Sequence, residues 1–307
     1  MNFVLNKKKN NQHGHGHKCN NVNCNLHNNH EMLVTNKLMI DKLNNYKFGD
    51  KIGHGAYGYV YKANNLVTGK MVAIKKTSKE DYRVSVNEIN ILKELSKEKH
   101  IVKLIDFIDL NQQIYIIFEH VDYNLQQFIK IPSFYKLLTP NVIRRFMYQL
   151  LSAVNECHYH GVIHRDIKPA NILIDKFFNL KLCDFGLSRK SKDALCTFKY
   201  YIVTLWYRAP EILTHSRTYT NSIDIWACGC VLAEMITGKP IFSGNSNDEQ
   251  LNRIQYALGI PHGDNMLKDF VPYANDNEYD LLKKLLKYYP DKRINAKKAL
   301  EHPYFSE

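Results

Sequence analysis

The stretch His164-Arg165-Asp166-Ile167-Lys168-Pro169-Ala170-Asn171, with Asp184-Phe185-Gly186 a short distance beyond it, decides the reading of this chain. Asp166 offers a carboxylate that can orient a hydroxyl and accept its proton. Asn171 and Asp184 supply hard oxygen ligands of the kind Mg²⁺ prefers alongside phosphate oxygens. A single Asp in a loop is usually a cap or turn residue. An Asp, Lys, Asn and Asp-Phe-Gly set at these offsets is not explained that way. The stretch follows an amphipathic helix that Thr139 can N-cap, with Pro140 at its first position. Ile143, Phe146, Met147, Leu150, Leu151, Val154 and Cys157 keep one apolar face, and Gly161 ends the helix. Two short strands follow, Ile172 to Ile174 and Leu180 to Leu182.

Upstream, the pattern changes to period two. Tyr46 to Gly53, Gly58 to Ala63 and Met71 to Lys75 read as strands, with a Thr68-Gly69-Lys70 turn before the third. A helix around Val84 to Ser96 carries Val86, Ile89, Leu92 and Leu95 at helical spacing. Ile101 to Ile108 and Gln113 to His120 read as two more strands. The first hairpin is turned by Gly53-His54-Gly55-Ala56-Tyr57-Gly58. Alone this spacing is weak, because dinucleotide-binding folds share it; those need a helix after the loop, and here Gly58-Tyr59-Val60-Tyr61 continues as strand. Lys75, on the next strand, can reach phosphate oxygens as a point charge, and Glu88 can hold it by an ion pair.

Downstream, Ile223 to Thr237 is apolar nearly all round, which marks a buried helix stopped by Gly238 and Pro240. Asn277 to Tyr288 and Asn295 to Glu301 read as the closing helices. The predicted class is α+β: a small antiparallel β-sheet lobe with one helix, joined to a larger α-helical lobe.

Over Tyr46 to Phe305 the chain resembles the eukaryotic protein kinases. The glycine loop, Val72-Ala73-Ile74-Lys75, His164-Arg165-Asp166, Asp184-Phe185-Gly186 and Ala209-Pro210-Glu211 stand in the kinase order. The resemblance implies a bilobal fold with an N-lobe over 46–119, a hinge over 120–124 and a C-lobe over 125–305. It implies Mg²⁺ and ATP as cofactors. Adenine would lie against Ile52, Val60, Ala73 and the linker Glu119 to Val121, with Phe118 gating the back of the pocket. The loop from Gly53 to Tyr59 would cover the phosphates, which Lys75 holds. Asn171 and Asp184 would hold Mg²⁺, Asp166 would position the acceptor hydroxyl, and Lys168 would neutralise the transferring phosphoryl as in serine/threonine kinases. Asp224 matches the residue that braces the catalytic loop, and Arg293 the one that pairs with Glu211. With Lys75, Asp166, Asn171 and Asp184 all present, a pseudokinase scaffold is the disfavoured rival.

Thr204-Leu205-Trp206-Tyr207-Arg208-Ala209-Pro210-Glu211 resembles the group of cyclin-dependent, mitogen-activated and glycogen synthase kinases. In that group Arg208 shapes the pocket for the residue after the phosphoacceptor and favours Pro, so the implied partners are proteins with Ser/Thr-Pro sites. The closest likeness is to cyclin-dependent kinases, which implies a cyclin-like activator. Several positions depart from that pattern. Tyr82 to Glu88 keeps only Glu88 of the cyclin-binding signature, and Asn87 replaces an Arg that receives an activating phosphate. Lys199 stands at the activating Thr position, where it would be repelled by Arg165 and Arg189, the usual phosphate receivers. Thr197 is two residues early. Tyr201 falls where the mitogen-activated and glycogen synthase branches carry an activation-loop Tyr, which makes a cyclin-independent kinase of the same group the enzyme rival. Tyr57 occupies an inhibitory phosphotyrosine position, and Ala56 replaces the Thr beside it. The stretch from His262 to Glu278 is short for the group.

Composition sets the remaining bounds. The chain has 307 residues, of which 45% are hydrophobic and 23% charged, as in ordinary soluble proteins. Ile223 to Ile236 is too short to span a bilayer and contains Asp224 and Glu234. Lys7, Lys8 and Lys9 after a short apolar start do not follow the order of a signal peptide. Seven Cys without framework spacing argue against a disulfide scaffold, so a reducing intracellular compartment, cytoplasm or nucleus, is expected. Lys plus Arg number 42 against 30 Asp plus Glu, a net +12, but no nucleic-acid-reading motif accompanies the excess. Residues 1–45, rich in Asn and His, read as a disordered arm. Within it His13, His15, His17, Cys19, Cys24, His27 and His30 are metal-type ligands whose spacing matches no zinc motif.

Overall fold

A computed structural model describes residues 35–55, 58–191, 204–214 and 219–306. Helix α1 (35–44) leads into β1 (Tyr46–Gly55), β2 (Gly58–Asn65) and β3 (Met71–Thr77). Helix α2 (Tyr82–Glu94) then precedes β4 (Leu104–Leu110) and β5 (Gln113–Glu119). These five strands form one antiparallel sheet in the order β1-β2-β3-β5-β4. The larger lobe begins with β6 (Tyr123–Asn124), α3 (Leu125–Lys130), α4 (Pro132–Tyr135) and α5 (Pro140–Tyr159). It continues through β7 (Val162–Ile163), β8 (Ile172–Ile174), β9 (Leu180–Leu182) and β10 (Arg189–Lys190). Among the described residues the further α-helices are α6 (Pro210–Leu213), α7 (Ser222–Thr237), α8 (Asn247–Leu258), α9 (Leu267–Phe270), α10 (Asp276–Leu285) and α11 (Ala296–Leu300). The α+β, two-lobed architecture is the one the sequence predicts.

Local chemistry explains the element ends that matter. Thr139 caps α5 by accepting from Val142 N at 3.4 Å, with Pro140 opening the helix. Gly238 ends α7 in the left-handed region, and fourteen successive residues from Ser222 to Met235 are buried, as a helix apolar all round must be. Strand pairing sorts the sheet residues by face. Val60 lies opposite Lys75, and Ala73 opposite Phe118, so these four share the face turned toward the larger lobe. Val72, Ile74, Ala63, Tyr115 and Ile117 form a separate core on the other face.

That second core corrects the extent of the arm. The sequence assigns residues 1–45 to it, but 35–44 are helical, and Met39 and Leu43 pack on the sheet's outer core. Lys42 donates to Asp106 at 2.8 Å, and Leu66 N donates to the Asn45 carbonyl at 2.8 Å. The helix is legible only once the sheet face that needs covering is known. Residues 1–34, with their His and Cys, lie outside the described residues.

Three other boundaries move. Ile101 to Lys103 do not extend β4; Ile101 forms a parallel bridge with Leu182, and Val102 N donates to the Leu182 carbonyl at 3.0 Å. An apolar run read as strand is therefore a clamp between the lobes. Tyr123 and Asn124, assigned to the hinge, pair with Ile174 and Leu173 as an edge strand of the larger lobe. Helix α10 stops at Leu285 rather than Tyr288, because the carbonyls of Lys287 and Tyr288 turn to accept from Arg293 at 2.7 and 3.0 Å.

Candidate active site

The residues predicted to hold phosphate and metal converge where β3, α2 and the loops after α5 and β9 meet. Lys75, 6% exposed, donates to both oxygens of Glu88 at 3.1 and 2.9 Å and to Asp184 at 2.9 Å. Burial opposes its charge, but Asp184 and Glu88 outweigh that and hold it protonated, above the ordinary lysine value. Asp184 behaves conversely. Burial opposes its ionisation, yet Lys75 prevails and keeps its carboxyl below the usual value.

The catalytic loop is fixed from beneath. Asp224, buried at the start of α7, accepts the backbone N–H groups of His164 and Arg165 at 2.8 Å each, and His158 Nε2 lies 2.9 Å from it. Burial works against this carboxylate, but the His158 contact and the amides stabilise its charge and hold its pKa down. The loop thereby carries Arg165 at φ 75°, a left-handed conformation uncommon for a non-glycine residue. His164 locks the next segment: its Nε2 lies 3.0 Å from the Cys183 carbonyl, and its own carbonyl accepts from Ser188 Oγ at 3.1 Å.

Asp166 sits at the centre. Its Oδ2 accepts from Lys168 Nζ and Asn171 Nδ2, both at 2.8 Å. Burial raises its pKa, and Lys168 pulls part of the way back. Lys168 also donates to Thr204 Oγ1 at 3.2 Å, which ties the catalytic loop to the segment ending in Ala209-Pro210-Glu211. Arg208 donates to Asn247 Oδ1 at 3.2 Å. Arg165 stacks over Tyr219 at 5.3 Å, and Arg189, opposite Ile163 in the β7–β10 pair, donates to the Ser188 carbonyl at 2.7 Å. Asn87 donates to that same carbonyl at 3.0 Å, so α2 is tied to the residues just after Asp184-Phe185-Gly186. Sequence reasoning did not anticipate His158, Thr204 or Asn247, each polar and each useful only through a partner distant in the chain.

The nucleotide side is equally assembled. Val60, Ala73 and Phe118 share the cleft face with Lys75, while Ile52 is half exposed on β1. Glu119 spends its carboxylate on Lys103 N and Lys181 at 2.8 and 2.7 Å, so its contribution to a ligand would be main-chain. Gly58 has φ 148°, and a Cβ there would lie 2.2 Å from the Lys76 carbonyl, so only glycine fits. Among the described residues, a Cβ on Gly55 would meet nothing within 4 Å. His54 and Tyr59 pack 5.1 Å apart beside it. Ala56, Tyr57, Thr197, Lys199 and Tyr201 lie outside the described residues.

These donors fit Mg²⁺ and a polyphosphate: two oxygen ligands, Asp184 and Asn171, beside one ammonium, and no soft ligand required. Asn171 commits its amide nitrogen to Asp166, which leaves its side-chain oxygen available to a metal. When bound, the metal would neutralise phosphate charge. The chain's own residues would do the rest. Lys75 would hold a fixed cation at the phosphates, Asp166 would present a carboxylate to a hydroxyl, and Lys168 would keep a second cation beside it. Phosphoryl transfer needs chiefly such positioning and charge compensation.

A family model described as "Protein kinase domain" matches residues 46–305, most of the chain. That match implies protein substrates and ATP. On the geometry and the match together, the chain belongs to the protein kinase family.

Proposed function

We propose that this kinase transfers the ATP γ-phosphoryl to Ser or Thr hydroxyls that precede Pro, in the manner of the cyclin-dependent-like kinases. The single observation that carries the reading is the Lys168 bridge between Asp166 and Thr204. It sets a cation beside the acceptor carboxylate and links both to the segment that ends in Arg208. Arg208 is tethered to Asn247 and stands close enough to Asp166 for the two charges to interact. A Pro after the acceptor has no N–H to satisfy, which suits a pocket edged by a guanidinium that offers only donors. The reaction is intracellular in this reading, in keeping with seven Cys that lack the spacing of a disulfide framework.

Labelled ATP, Mg²⁺ and peptides differing only after the Ser or Thr test this directly. Pro in that position is expected to be preferred about tenfold or more, and Arg208→Ala to erase the preference with less effect on Asp166-dependent turnover. Equal use of all peptides by the unmutated chain would remove the role given to Arg208.

A second reading, a cyclin-independent kinase of the same group, has its own support. The Lys75–Glu88 pair is closed in the lone chain, and Asn87 on α2 is already bonded to Ser188. An α2 already held inward supports activity without a partner. Under this reading Tyr201 is the activating phosphosite. Tyr201→Phe is then expected to lower activity of the isolated kinase at least about tenfold and to abolish its activation by phosphorylation; undiminished activation would exclude Tyr201.

A further inference from the structure

Away from the catalytic cleft, the larger lobe holds a groove of about 460 Å³ where α8 ends, α9 begins and α10 runs into Tyr288 and Tyr289. That volume lies within the range of sites that bind ligands specifically. The floor is apolar, formed by Leu258, Leu267 and Leu286. The rim is cationic, formed by Lys283, Lys287 and Lys292, and among the described residues no acidic side chain lines it.

The cations are available. Lys292 meets Asp291 at 3.3 Å with both about 70% exposed, and Lys283 meets Asp280 at 3.8 Å. Exposed pairs at these distances contribute little and exchange readily for another carboxylate. Lys287 is exposed. The wall behind them is rigid, because buried Arg293 donates to the carbonyls of Lys287 and Tyr288. The site is thus prepared before any ligand arrives.

The arrangement also selects among ligands. A free anion is held by donors that converge. These three cations are strung along α10, the chain just past it and the turn before Arg293, with leucines between them and the exposed aromatic Tyr289 beside them. A row of separated carboxylates with apolar side chains among them is the complementary shape. We propose that the groove docks a linear acidic segment of a protein substrate, Leu or Phe side chains flanked by Asp or Glu, and so recruits that substrate apart from its phosphoacceptor. Part of the net +12 then serves substrate capture.

The test uses the full chain and fluorescence anisotropy, without ATP. The probe is a fluorescein-labelled dodecapeptide with two Leu and one Phe separated by Asp and Glu, beside its counterpart with every acid replaced by Asn or Gln. The acidic peptide should bind saturably, at least about tenfold tighter than the neutral one, and more weakly as salt rises. The double variant Lys287→Glu, Lys292→Glu should lose about tenfold or more, and Tyr289→Ala should weaken binding without changing the salt slope. All three positions are exposed, so melting temperature and turnover of a short peptide without the acidic segment should stay as in the unmutated chain. Attaching the segment to that short peptide should lower KM and leave kcat unchanged. Equal binding of both peptides, or equal binding by the charge-reversed variant, would overturn the proposal. So would lysine-dependent sedimentation with phosphatidylserine vesicles in the absence of peptide binding, which would make the rim a membrane contact. Binding is read without catalysis, so failure here leaves the kinase reading untouched.

Discussion

Asp166→Asn is expected to lower phosphoryl transfer about 10²–10⁴-fold while the protein keeps its fold. The substitution preserves the acceptor geometry: an Asn oxygen can still take the Lys168 and Asn171 bonds that Oδ2 takes now. What it removes is the charge that draws on the acceptor hydroxyl's proton. Steady-state rates with a peptide substrate, beside thermal melting followed by circular dichroism, separate the two effects. A variant that melts normally and retains about a tenth of the activity would displace Asp166 from this role. The pH profile adds a second check. Burial raises the Asp166 pKa above the ordinary carboxylate value, and only the ionised form is competent. Activity should therefore fall as pH drops through that raised value, earlier than an ordinary aspartate would cause. Lys168 holds the pKa down against burial, so Lys168→Ala should move the acid limb to higher pH as well as slow turnover.

The candidate reacting groups that the fold brings together are legible in the sequence because each is a fixed residue type at a fixed offset from a strand or turn. Lys75 lies on a strand whose alternation dictates its face, and Asp166 and Asn171 lie in one loop. The groups that make the site rigid were harder to see. Asp224 and Arg293 could be assigned only through resemblance, since nothing local to either distinguishes a brace from a surface charge. His158 gave no signal at all: on a helix read as amphipathic it is one more polar residue until Asp224 is placed beside it. The same limit explains α1. Met39 and Leu43 are too few to mark a helix alone, and their burial depends on an outer sheet face assembled from β1, β2, β3, β4 and β5. Ile101 and Val102 failed in the opposite direction. Their β-branched character is real, but the pairing partner is Leu182 in the other lobe rather than the neighbouring strand. Local pattern reports which residues must be covered; it does not report by what.

Arg293→Met is expected to destabilise the fold by about 3–5 kcal/mol. Arg293 uses all five of its N–H donors. Nη1 and Nη2 each reach a Glu211 oxygen at 2.6 Å, and the remaining donors go to the carbonyls of Ser222, Tyr288 and Lys287 at 3.2, 3.0 and 2.7 Å. Its guanidinium also lies over Trp226 at 5.1 Å, and its side chain and that of Glu211 are 0 and 10% exposed. Loss of the cation would strand a desolvated carboxylate and three carbonyls together. Equilibrium urea unfolding and thermal melting measure the cost. Arg293→Lys should be nearly as severe, because an ammonium has three donors and no planar fork. A lysine variant within about 1 kcal/mol of the unmutated chain would show that charge alone suffices, against this account. Glu211→Gln should cost less than Arg293→Met, since the amide can still accept one bond and the four other groups around Arg293 stay in place. The consequence extends to both proposed binding surfaces. Glu211 follows Arg208-Ala209-Pro210, so losing its anchor should loosen the segment proposed to meet the residue after the phosphoacceptor. Lys287 and Tyr288 wall the lysine-rimmed groove, so losing their donor should loosen that as well. A fully folded Arg293→Lys at low temperature should then show raised KM for peptide and weakened docking together, and separation of those two defects would mean that Arg293 does not join them.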